Sequence, residues 1–288
     1  MIDRRQFLCS SLFAALAAKA ARGQVGDLPH NRPLKIGHRQ ANMKVEAGPG
    51  IFDVARQIPG LSGVELQVHF KDTTLWDRET ALSYKTAGAR AGIAIPSIAG
   101  IWPKGASLVQ AGTNEENVRK AIQTAELIGS KVILVAAFGE NCPKMDDEKS
   151  YGPVVSMLQK VSGAASNAGV TLGMETSLSP ADHAKLVDLV NRPSVKVYYD
   201  LFNMEDYGHT GQAVPGLEVL GKRICQIHLK NGNKLLAEPG PVDWTAAVKG
   251  MKKIGYPGWF FFETAHSSPE QCIEATKKNI AFIYKNFV

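Results

Sequence analysis

Past residue 23 the chain has no long apolar run, no block of like charge, no C-x-x-C pair and no glycine-rich phosphate cradle at a strand–helix junction. A membrane-spanning helix needs roughly 20 consecutive apolar residues, so no stable membrane insertion is expected once the N-terminus is set aside. Of the four cysteines, Cys9 falls in the N-terminal stretch. Cys142, Cys225 and Cys272 are then an odd, sparse set that argues against a disulfide framework, and no paired motif points to zinc. The net charge is +6, of which Arg4, Arg5 and Lys19 against Asp3 supply +2; the remaining +4 is spread thinly and offers nucleic acid no basic face. Without an anion cradle, phosphate-bearing substrates are disfavoured.

What is present begins with Arg4-Arg5, the apolar stretch Leu12 to Ala18, and a small-residue site at Ala18-Lys19-Ala20. Paired arginines, a short apolar core and an A-x-A site describe a twin-arginine export leader. Residues 1–23 are read as that leader, and residues 24–288 as one domain with a periplasmic address. Cys9 lacks the preceding small residues of a lipoprotein signal. The twin-arginine route carries proteins that are already folded.

Short apolar, β-branched runs recur along the mature chain, separated each time by a helical period. Strands are predicted at 34–39, 63–70, 92–99, 131–138, 170–176, 195–201, 224–230 and 258–264. Between them, Asn114 to Ile128 stops at Gly129, and Ser179-Pro180 opens a run to Val190, both with helix boundary signals. Strands alternating with helices imply parallel pairing, and eight such units close into a single (β/α)8 TIM barrel of the α/β class.

Glu175, Asp200, His228 and Glu263 each stand near the C-terminal end of one of the last four predicted strands. A hard divalent cation takes oxygen ligands with an occasional imidazole, and these strand ends supply three carboxylates and one histidine. Side-chain alternation puts Gln226 and Ile224 on the inward face with His228, and Cys225 toward the helices. It likewise puts Phe261 and Trp259 inside with Glu263, Tyr198 with Asp200, and Gly173 with Glu175. A divalent ion is therefore expected, with Mn, Mg, Co and Zn all compatible.

The segments Met174-Glu175-Thr176, Val197 to Asn203, Ile227-His228-Leu229-Lys230 and Phe262-Glu263-Thr264 resemble the four metal motifs of the xylose-isomerase-like sugar isomerase/epimerase superfamily. Gly240-Pro241-Val242-Asp243-Trp244 before Tyr256-Pro257-Gly258 resembles that family's approach to its last strand. The resemblance implies a barrel, a single divalent metal and a small carbohydrate substrate. It implies further that Glu175 and Glu263 bind the metal and move the proton, while Asp200 and His228 act as ligands alone. The chemistry stands without the family: a metal chelating a carbonyl and its neighbouring hydroxyl stabilises the enediolate formed when a carboxylate removes the adjacent proton.

Where the family's ketose 3-epimerases carry a substrate-binding histidine, arginine and glutamate, this chain has Asn203, Lys234 and Ala181. Substrate handling must therefore differ. Lys230, two residues after His228, is expected above the metal to hold a substrate oxygen. His38 on the first strand, His69 on the second, Trp102 after the third and His266 beyond Glu263 are further candidate substrate contacts, with His209 at the rim. Glu65 resembles the superfamily's second-strand glutamate and is expected to buttress the barrel floor. The expected activity is isomerisation or epimerisation by proton transfer next to a carbonyl. The same enediolate can expel a leaving group, so a keto-sugar or 3-keto-glycoside lyase or hydratase is the alternative. An exported sugar-binding protein with a remnant site is a third. The related apurinic endonucleases use more metals and a strongly basic face, which this chain lacks. Oligomeric state is not legible.

Overall fold

Eight parallel strands close into a barrel in a computed structural model that describes residues 34–287; the leader expected over residues 1–23 lies outside them. The strands are β1 (Lys35–Arg39), β2 (Gly63–Gln67), β3 (Ala94–Ala99), β4 (Val132–Ala137), β5 (Thr171–Thr176), β6 (Val195–Asp200), β7 (Ile224–Leu229) and β8 (Trp259–Phe262). Each pairs with its sequence neighbours, and β1 closes the ring on β8 through Gly37↔Phe261 and His38↔Phe262. Around them run α1 (Ile51–Ala55), α2 (Arg78–Ala91), α3 (Asn114–Ile128), α4 (Glu148–Asn167), α5 (Pro180–Val190), α6 (Leu201–Asp206), α7 (Pro215–Leu220), α8 (Trp244–Lys253) and α9 (Pro269–Phe287). Among the described residues no helix is long and apolar enough to cross a membrane, and Cys142, Cys225 and Cys272 are free thiols.

Local chemistry explains the boundaries. Ser179 caps α5 by accepting from the Asp182 N–H, Pro180 occupies its first turn, and α3 stops at Gly129 with φ +88°. Asp77 and Asp243 cap α2 and α8 in the same way. The helices pack their apolar rows on the outward residues of the strands, so that Phe260, Phe262, Ile227 and Leu229 lie in one continuous core. Inside the ring the β8 aromatics need glycine opposite them: a Cβ on Gly37 would overlap the Phe261 ring, and one on Gly63 would overlap Trp259.

Two expectations of alternation need correction. The second strand ends at Gln67, and His69–Phe70 instead forms a short antiparallel pair with Thr73–Thr74. The seventh carries a bulge: Val197 pairs with Ile224, but Tyr198 pairs with Gln226, which skips Cys225. An extra residue resets the side-chain phase. Cys225 consequently joins the interior group of Ala99, Val132, Leu134 and Tyr198, while Ile224 packs with the helices.

Candidate active site

At the C-terminal rim of the barrel, ligand atoms of Glu175, Asp200, His228 and Glu263 all lie within 4.8 Å of one another. Strand register brings them together, since Asp200 is level with His228 and His228 with Phe261, two residues before Glu263. Each is then held by a different device. Asp200 caps α6, its Oδ1 accepting from the N–H groups of Phe202 at 2.8 Å and Asn203 at 3.1 Å. That leaves Oδ2, buried and without a hydrogen bond of good angle, though Lys230 Nζ stands 2.9 Å away as an ion pair.

His228 is oriented from below. Its Nε2 lies 3.1 Å from Glu65 Oε1, and its Nδ1 lies 3.1 Å from Glu175 Oε1 and 3.6 Å from Glu263 Oε2. A carboxylate taking the far ring N–H of a histidine is the usual way to aim the other nitrogen at a metal. Glu65 is itself fixed by hydrogen bonds from Tyr198 Oη at 2.7 Å and Ser97 Oγ at 2.8 Å. Gln226 Nε2 donates to both Ser97 Oγ and Tyr198 Oη, completing a buried polar layer under the site. Glu65 is thus a support for His228 as well as for the barrel interior.

Glu263 is clamped from the opposite side. Arg39 Nη1 bonds its Oε1, Lys230 Nζ donates to its Oε2 at 2.9 Å, and Asn42 Nδ2 donates to its backbone carbonyl at 2.9 Å. In the orientation that satisfies both groups, the Gln67 amide oxygen accepts from Arg39 Nε at 2.9 Å. Asn203 bridges the two halves, donating to Glu175 Oε1 at 3.2 Å and accepting from Lys230 Nζ at 2.8 Å. Lys230 therefore lies within the acidic cluster, bound to Asn203, Asp200 and Glu263.

Electrostatics follow from this packing. Burial raises Asp200, and Glu175 adds to that against the pull of Lys230, so its carboxyl sits above the ordinary range. Burial acts on Glu65 and Glu175 in the same sense, but His228 outweighs it and both end below the ordinary range. The donor set fits a divalent cation: three carboxylates, one aimed imidazole and a buried Asp200 Oδ2 that makes no well-angled hydrogen bond.

Other predicted contacts separate from this cluster. His38 is level with Phe262 and Val64 on the outward face of β1, so it leaves the pocket to its neighbour Arg39. His266 meets it there, with the two Nε2 atoms 3.2 Å apart. The correction follows from parity: Ile36 and His38 share the helix-facing row, and Gly37 and Arg39 the inner one. His69 stands edge-on to Trp76, with ring centroids 4.3 Å apart, in the short hairpin after β2. Lys234 is exposed and donates to the Pro239 carbonyl of its own loop at 3.1 Å. His209 donates to the Ser177 carbonyl at 2.9 Å. Trp102 is partly buried at the mouth, where its Nε1–H donates to the carbonyl of Ala136, the residue level with Glu175.

Arg39 and Ser97 have no motif that singles them out, whereas Gln226 is expected inward with His228 but its bonds to Ser97 and Tyr198 are not legible. The alternation of Ile36 and His38 against Gly37 and Arg39 was the available signal for Arg39. The mouth also carries an unpredicted aromatic plate, Phe138 stacked on Tyr207 at 5.6 Å with 7° between the rings. Tyr207 is 40% exposed, and its hydroxyl feels the charges of Lys230 and Glu175.

Comparison with known proteins agrees with this architecture. The chain is 27% identical over 224 residues to an L-ribulose-5-phosphate 3-epimerase of Salmonella paratyphi A, covering 71% of this chain and 78% of that one. Among solved structures it resembles a xylose isomerase domain protein from Planctomyces limnophilus, with TM-score 0.73, 19% identity, and coverage of 90% of this chain and 99% of that one. It also resembles a 3-keto-D-glucoside 4-epimerase of E. coli, with TM-score 0.71, 14% identity, and coverage of 88% and 99%. At these identities the structural likeness speaks for the fold. The profile described as xylose isomerase-like TIM barrel matches residues 52–286, so the chain belongs to that family.

Proposed function

We propose that this chain is a divalent-metal-dependent sugar isomerase or epimerase that moves a proton on the carbon next to a carbonyl. The observation that carries the reading is the convergence of Glu175 and Glu263 on one cluster with Asp200 and His228. Glu175, Asp200, His228 and Glu263 would hold the ion. When bound, it would polarise a sugar carbonyl and its neighbouring hydroxyl and so acidify the adjacent C–H.

The chain's own groups divide the remaining work. Glu175 and Glu263 enter from strands β5 and β8, and each can take or return a proton from its own side of the substrate. Arg39 and Asn42 fix the carboxylate and the backbone of Glu263, which sets the direction of its attack. Lys230, already beside Glu263, supplies an ammonium that can turn to a substrate oxygen once the substrate displaces part of its pairing with the carboxylates. Trp102 and the Phe138–Tyr207 plate line the mouth, where apolar ring faces suit the C–H faces of a sugar. The curated relatives named as L-ribulose-5-phosphate 3-epimerases support epimerase chemistry. We further propose that residues 1–23 direct the chain to the periplasm, which N-terminal sequencing of the periplasmic form would test.

Proton NMR in D₂O of the metal-loaded protein, offered a panel of free ketoses and 3-keto-glycosides, tests the reading. Deuterium entering next to the carbonyl with an intact skeleton is the expected result. Loss of an aglycone or of water would replace it with the lyase or hydratase reading on the same site. Binding without exchange would leave a sugar-binding protein.

A further inference from the structure

We propose a second metal site, for a zinc ion, formed by His38, His266 and Cys272 on the helix-facing side of the β1–β8 wall. One ligand atom from each lies within 4.8 Å of the other two. The three come from separate elements: β1, the loop after β8 and the first turn of α9. His38 and Cys272 are fully buried, while His266 keeps partial exposure.

The geometry around His38 is that of an aimed ligand. Its Nδ1–H donates to the carbonyl of Arg39 at 3.0 Å, so its Nε2 carries the lone pair, which accepts from the Nε2 of His266 at 3.2 Å. A second ring nitrogen held by a backbone carbonyl is the usual arrangement behind a metal-bound histidine. The 3.2 Å between the two Nε2 atoms is also close to the edge of a tetrahedral zinc site. Zinc–nitrogen bonds of about 2.0–2.1 Å at the tetrahedral angle place their nitrogens roughly 3.3–3.4 Å apart. The hydrogen-bond contact of Cys272 Sγ with Thr276 Oγ1, at 3.8 Å, is too weak to compete for the sulfur.

Two imidazoles and a thiol with no carboxylate select a borderline or soft ion over magnesium, calcium or manganese, and the partial exposure of His266 leaves the fourth position to water. On binding, the Cys272 thiol releases its proton to solvent, the neutral His266 ring carries its single proton on Nδ1 so that Nε2 faces the ion, and no electron is transferred. The ion would tie the loop that follows Glu263 to β1 and α9. This site is independent of the carboxylate cluster and of the activity proposed for it.

The test titrates Co²⁺ into the reduced protein with excess Mn²⁺ already present to fill the carboxylate cluster. A thiolate-to-cobalt charge-transfer band that saturates at a single equivalent and is displaced by Zn²⁺ is expected. The band should vanish in Cys272→Ser and in His266→Gln, with circular dichroism reporting the fold of each. His266 is partly exposed, so its variant carries the test even if the buried Cys272 substitution disturbs folding. No band in the wild type, or one that survives in His266→Gln, would overturn the site. Deuterium exchange into sugar is read separately, so failure here leaves the proposed function untouched.

Discussion

The wall made by β1 and β8 separates two histidine clusters built from nearly adjacent residues. On its inner face Arg39 and Glu263 join four carboxylates, two cations and an imidazole in one cross-bonded knot. On its outer face His38 and His266 meet a thiol. Two fully buried imidazoles on this wall and its inner knot, His38 and His228, respond in opposite ways. Burial, aided by His266, pushes His38 down to about 3. Burial works in the same direction on His228, but Glu175 and Glu65 outweigh it and push it up to about 9. Desolvation alone does not set the charge of a buried histidine; the side of the strand does, because it decides the neighbours.

The sharpest way to break this contrast is to neutralise one inner carboxylate. Glu263→Gln should lower solvent proton exchange by roughly 10²–10⁴-fold while circular dichroism stays unchanged, since a positioned acid–base group contributes about that much. Unchanged turnover would remove Glu263 from the reaction. A smaller effect is expected one layer down. Glu65→Gln should weaken divalent-metal binding by about 10–100-fold in a chelator competition, because His228 loses the carboxylate that orients it. Wild-type affinity in that variant would assign Glu65 to barrel packing alone.

Arg39 sharpens the comparison further, as the neighbour of His38 that faces the other way. In Arg39→Met, kcat should fall by roughly tenfold through misplacement of Glu263, with KM changing less. Equal losses in both constants would mean that Arg39 binds substrate rather than positioning the base. The mildest effect concerns the helix layer. His183, fully buried on α5, is pushed by burial down to about 4. Below its unfolded value near 6.5 the unfolded chain takes up a proton that the folded chain refuses. Stability from this group is therefore complete above that pH and is lost as pH falls toward 4. His38 and His266, the latter lowered by burial to about 4, act in the same sense. His183→Met should flatten the acid limb of a urea-midpoint profile by about 1.4 kcal/mol per pH unit in that window. A wild-type slope in the variant would show that His183 titrates normally.

Much of this was legible beforehand, and the failures share a cause. All eight strands and the inward phase of Glu175, Asp200, His228 and Glu263 could be read, because apolar rows recur with period two and the ligands stand at strand ends. The bulge at Cys225 could not, since no glycine or other local signal marks it and one extra residue inverts the phase behind it. Asn203 and Lys230 were placed near the site by spacing, but their mutual bond and their hold on Glu175 and Glu263 join residues from different strands.

The order of elements, their helical or extended character and the set of metal-ligating side chains are properties of short stretches, so the chain carries them locally. Which face of β1 looks into the barrel, which arginine meets Glu263 and which thiol meets His38 depend on closure between residues more than 220 positions apart. Such meetings are decided by strand register and ring closure, where hydrogen bonding and packing of the whole barrel act at once. Only the folded molecule contains that information in readable form.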